Sequence, residues 1–81
     1  MVGVVKMVNS VSGMVAVKTE NDDFTIFQLM GDYEVEIGDE IQGELDAPGD
    51  EAFRNLTKFQ MIEVFVAECN AGRDAALRRI A

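Results

Sequence analysis

Hydrophobic and polar residues alternate with a period of two along most of this chain, the signature of strands with one face in a core and one in water. The clearest case runs over 39–45, where Ile41, Gly43 and Leu45 share one face and Glu40, Gln42 and Glu44 the other. Gly38-Asp39 is a turn signal directly before it. Gly43, on the inward face, lets a strand coil sharply or a neighbour approach closely. The same alternation predicts strands over 2–8, 14–19, 24–30, 52–57 and 59–67. Val5 and Met7, Val15 and Val17, and Ile62, Val64 and Val66 take the inward positions, while Lys6, Lys18 and Glu63 mark wet faces. Val4 and Val8 share the face of Lys6, so the first strand is apolar on both sides.

The third strand breaks phase. Phe24 and Ile26 form one apolar pair, and Phe27 and Leu29 form another of opposite parity. A β-bulge near Ile26-Phe27 would turn both pairs inward. The alternative is a strand buried on both sides; the bulge is preferred because so short a chain has little material to cover a second face. Residues 51–58 read as a strand or as a helical turn capped by Asp50, with the extended reading favoured. Turn formers at 9–13, 20–23 and 46–50 separate the strands. Asn70 is placed to cap a helix over 71–80, with Ala76, Leu77 and Ile80 as its apolar stripe. Arg78 and Arg79 lie in its last turn, where the helix dipole favours cations.

Together these elements predict a mainly β protein: one small domain over 1–81, a five- to six-stranded OB-like or SH3-like barrel with a short C-terminal helix. OB-folds usually place a helix between their third and fourth strands, and the interval 31–38 is short for one. The segment Val35-Glu36-Ile37-Gly38-Asp39-Glu40-Ile41-Gln42-Gly43 resembles the pattern that introduces a strand in many small barrels, and hydrogenase-maturation chaperones carry something similar. That family has a functional cysteine directly after its initiator methionine. Val2 stands there in this chain, so the chaperone chemistry does not carry over. The chain as a whole resembles small uncharacterised bacterial proteins with OB-like barrels.

Composition narrows the function. The chain has 81 residues, one cysteine, no histidine and 48% hydrophobic residues. That is ample for a core, and disorder is not expected. Cys69 alone builds no intrachain disulfide and no thiolate zinc site. The commonest general base and metal ligand is missing. No phosphate-cradling glycine loop or nucleophile elbow is present, so no enzyme activity, catalytic residue or cofactor is expected. The acids of the turns lack the alternate spacing of a calcium loop, and no metal site is expected. Cys69, just before the capping Asn70, reads as an incidental thiol. Met1–Lys6 is too short an apolar run for a signal peptide, and no stretch approaches a membrane span, so a cytoplasmic location is the expectation.

The net charge is −8, and it is unevenly spread. Twelve acids and no base fall between Glu20 and Glu51; outside that window stand all seven bases and three acids. Two binding readings follow. In the first, the domain is a non-catalytic module that contacts a protein, or its own copy, through an apolar patch near Met61 and Phe65, because Phe65 shares the parity of Glu63. In the second, phenylalanines flanked by Lys6, Lys18, Arg54 and Lys58 bind single-stranded nucleic acid. The first, second and last strands would have to be neighbours to gather those bases. The negative charge disfavours this second reading, because phosphate contacts supply most of such affinity. No membrane partner is expected.

Overall fold

Six antiparallel strands form in chain order: β1 (Val2–Asn9), β2 (Met14–Thr19), β3 (Phe24–Leu29), β4 (Glu40–Gln42), β5 (Gly49–Asn55) and β6 (Gln60–Ala71). A single helix follows, α1 (Arg73–Ile80). In this computed structural model, which describes residues 1–81, the strands close into a barrel in the order β1-β2-β3-β6-β5-β4, with β4 returning to β1. Residues 51–55 are extended, as the favoured reading has it, and residues 56–59 form the turn into β6.

The barrel interior holds Val5, Val15, Val17, Phe27, Val35, Ile41, Leu45, Phe53, Ile62, Val64 and Val66. Phe27 and Phe53 meet edge to face, with ring centroids 5.4 Å apart and planes at 79°. Such a pair adds about 0.5–1.5 kcal/mol beyond the area it buries. Gly43 makes room for this pair: a Cβ there would collide with Phe53 Cδ1. The inward glycine therefore serves close approach. β4 is shorter than the alternation suggests: Gly43 N–H still donates to Met1 O beside the β1 ladder, but Leu45 N–H then folds back onto Gly43 O and ends the strand.

A second, smaller core lies outside the barrel. Ala16, Phe24, Ile26, Ala71, Ala76 and Ile80 bury one another there, with Met7, Met14 and Ala75 at the margin. α1 supplies the cover and packs across β1, β2 and β3. Asn9 Nδ2 donates to Ile80 O at 2.8 Å and fastens the end of the helix.

This second core corrects the reading of the third strand. β3 pairs with β2 residue for residue, without a bulge. The register shifts occur against β6, where Phe24 faces Ala71, Ile26 faces Glu68 and Phe27 faces Val66, so the extra residues belong to β6. β3 is thus buried on both sides: Phe27 points into the barrel, and Phe24 and Ile26 point under α1. The chain does have material for a second face, and the C-terminal helix is that material.

A bulge also falls in β1. Val5 pairs with Val17 and Met7 with Ala16, leaving Lys6 as the extra residue. The parity of the strand changes there. Val5 and Val8 face the barrel interior, whereas Met7, expected inward, joins the outer core.

The helix begins later than the capping signal implies. β6 continues to Ala71, which pairs with Phe24 and is 4% exposed. Asn70 sits in that strand with φ 55°, and Gly72 is the N-cap without a side-chain hydrogen bond. Cys69 consequently lies within β6 rather than at a helix N-terminus.

Candidate functional site

Outward side chains of β6 alternate with the core residues Ile62, Val64 and Val66, and they form the row Met61, Glu63, Phe65. Register fixes their neighbours. Arg54 lies opposite Met61, Ala52 opposite Glu63, and Asp50 opposite Phe65 on β5, while Gln28 of β3 flanks Phe65 on the other side. Met30 extends the β3 edge, its N–H donating to Glu63 O at 2.9 Å. Phe59, in the turn before β6, adopts φ 54° and is 93% exposed. Met30 is 57% exposed, Met61 52% and Phe65 44%. Large apolar groups at these exposures on one sheet face are the kind of patch that marks an interaction surface. The structure therefore brings Met61 and Phe65 onto one face and adds Met30 and Phe59. No periodicity signals Phe59, because it lies in a turn.

The basic residues divide. Lys6 and Lys18, on the adjacent strands β1 and β2, line one cleft together with Arg73 of α1. Arg54 stands on β5, three strands from β2 in either direction around the barrel, beside Phe59, Gln60 and Met61. The last strand neighbours β3 and β5, not β1 or β2. The four bases Lys6, Lys18, Arg54 and Lys58 are therefore not gathered on one face. Of the five phenylalanines, Phe27 and Phe53 are buried inside the barrel, Phe24 shows only an edge at the Lys6–Lys18 cleft, and the exposed Phe59 stands beside Arg54.

Lys58 has a different position. Its Nζ contacts Asp39 Oδ2 at 2.7 Å and Glu36 Oε1 at 2.8 Å. Asp39 also accepts from Asn55 Nδ2 at 2.9 Å and from the Glu36 N–H at 3.0 Å. Asp39 and Asn55 are buried, and Asn55 Oδ1 accepts from the Lys58 N–H. Burial by itself would raise the Asp39 pKa. The hydrogen bonds from Lys58, Asn55 and Glu36 and the Lys58 charge outweigh it and hold the carboxyl below the ordinary carboxylate range. The same contacts, led by the hydrogen bond to Asp39, raise the Lys58 pKa. The backbone of this segment closes the barrel: Val5 N–H donates to Asp39 O, and Gly38 N–H to Val5 O. Gly38-Asp39 is thus a structural latch between β1, β4 and the end of β5. The signal for it was Asn55, a polar residue at an inward position.

No three acidic or thiol side chains converge in a way that would hold a metal ion. No helix is long and apolar enough to cross a membrane. Set against protein-family models, curated proteins and solved structures, the chain shows no significant match to any of them, so what its surfaces do is read from their own residues.

Proposed function

We propose that this protein is a non-catalytic, cytoplasmic binding module that docks a different protein on the outer face of β6. The observation that supports it is the exposure of Met61, Phe65 and Met30 on one sheet face with Phe59 at its end. A rigid β-sheet holds this row, so docking there costs little ordering. The surrounding charges select the partner. Glu63 lies between Met61 and Phe65 and Asp50 lies opposite Phe65, against the single base Arg54 opposite Met61, so the partner presents an apolar anchor beside Lys or Arg. A second copy fits poorly. Antiparallel stacking of Met61 on Phe65 about a two-fold axis would set Glu63 against Glu63, between molecules of net charge −8. We read the barrel as OB-like, with two departures: six strands rather than five, and a helix after the last strand rather than between the third and fourth.

The test is photo-cross-linking from position 61, with the same cross-linker at the exposed Val11 as the control. The captured protein is then purified and titrated against the parent chain. A basic protein whose affinity falls at least about tenfold with Phe65→Ser supports the reading. A dimer in sedimentation equilibrium that dissociates with Phe65→Ser, or equal capture from both positions, refutes it.

A further inference from the structure

We infer that the cleft between the β1–β2 surface and α1 binds a small dianion with an apolar body, of the phosphomonoester class. It is lined by Lys6, Met7, Lys18, Phe24, Arg73 and Leu77, and its volume is about 370 Å³. That is at the lower end of the roughly 300–1,000 Å³ of small-molecule sites. Three of the seven bases of a strongly acidic chain meet here. The β1 bulge makes this arrangement: Lys6 is the extra residue, so Lys6 and Met7, consecutive in sequence, both line the cleft instead of pointing to opposite sides.

Charge selects the ligand. Lys18 is paired with Asp22 at 2.9 Å, while Lys6 and Arg73 have no ion pair. The three cations less Asp22 leave a charge of about +2, which a phosphomonoester neutralises near neutral pH. Arg73 offers the planar donor fork suited to phosphate oxygens. Met7, the edge of Phe24 and the half-exposed Leu77 offer an apolar wall for the rest of the molecule. A polymer is a poorer fit, because a strand leaving the cleft past Lys18 meets Glu20, Asp22 and Asp23 in the β2–β3 turn. β1 lies opposite β6 in the barrel, so this site stands independently of the docking face.

The test is a titration of isotopically labelled protein with phenyl phosphate, followed by amide resonances. Saturable shifts are expected at Lys6, Met7, Lys18, Arg73 and Leu77. Lys6→Glu with Arg73→Glu should weaken binding at least about tenfold, as loss of two charge-assisted contacts implies. Arg78→Glu with Arg79→Glu, the same charge change elsewhere, should leave it within about twofold if the site is local. If charge reversal disturbs the fold, Lys6→Gln with Arg73→Gln gives the same comparison. Inorganic phosphate should bind more weakly than phenyl phosphate, and a short single-stranded oligonucleotide should not compete. Absence of saturable shifts, equal loss in the two charge-reversed pairs, equal affinity for inorganic phosphate, or tighter binding of the oligonucleotide would each overturn the assignment.

Discussion

The barrel has two apolar places on its outside, and the chain treats them differently. Over β1, β2 and β3 the outward residues Met7, Met14, Ala16, Phe24 and Ile26 are covered by α1. Over β6 and its flanks Met30, Met61 and Phe65 have no cover. Phe24 is 8% exposed and Phe65 44%, although both stand on the outer face of one barrel. The residues that bury one another on the covered face are all apolar, and charge stands only beside them, with Glu68 opposite Ile26 and Lys18 opposite Phe24. The bare face carries Glu63 between its apolar residues, with Arg54 and Asp50 beside them. A face that must be dry to hold the fold excludes charge, whereas a face that meets a partner keeps it for selection. The difference separates apolar surface that stabilises the chain from apolar surface left for something else.

Mutations at the two faces sharpen that contrast. Ile26→Ala removes a fully buried side chain from the covered face, and urea unfolding should show a loss of about 2–5 kcal/mol. Ile80→Ala should cost less, about 2 kcal/mol, because the terminal helix can settle into the space left behind. A negligible effect of Ile80→Ala would mean that α1 does not hold the second core.

The latch at Asp39 belongs to neither face and gives a third magnitude. Asp39→Ala leaves the buried Asn55 amide without its acceptor, and should cost about 1–3 kcal/mol. The native carboxyl is held below its ordinary value, so its contribution is fully present above the ordinary carboxylate pKa. It is lost as pH falls through the lowered one. An acid titration of the melting temperature should therefore drop from about pH 4 downward in the parent chain, and more shallowly in Asp39→Ala. Parallel curves for the two proteins would remove Asp39 from the account of acid stability.

Much of the fold was legible because period two reports directly on burial. Val15, Val17, Ile41, Ile62, Val64 and Val66 are inward where the alternation places them. The pattern does not say which of two paired strands carries an extra residue. The irregularity felt at Ile26-Phe27 therefore lies in β6, and Lys6 was not recognisable as a bulge. Nor does a local pattern see across the barrel. Lys58 reads as a free base until the fold brings Asp39, 19 residues away, within 2.7 Å. The apolar pair Met61 and Phe65 was legible from its parity with Glu63. The cleft at Lys6 was not, because Arg73 reaches it only once α1 has folded back over β1–β3.

The smallest structural effect is expected on the bare face of β6. Met61→Ser combined with Phe65→Ser should leave stability in urea within about 0.5 kcal/mol of the parent chain, because neither side chain is buried. Measured on the same sample, the affinity for the protein captured from position 61 should fall at least about tenfold. Retained affinity, together with a stability loss of the size expected for Ile26→Ala, would show that the outer face of β6 serves the fold and not a partner.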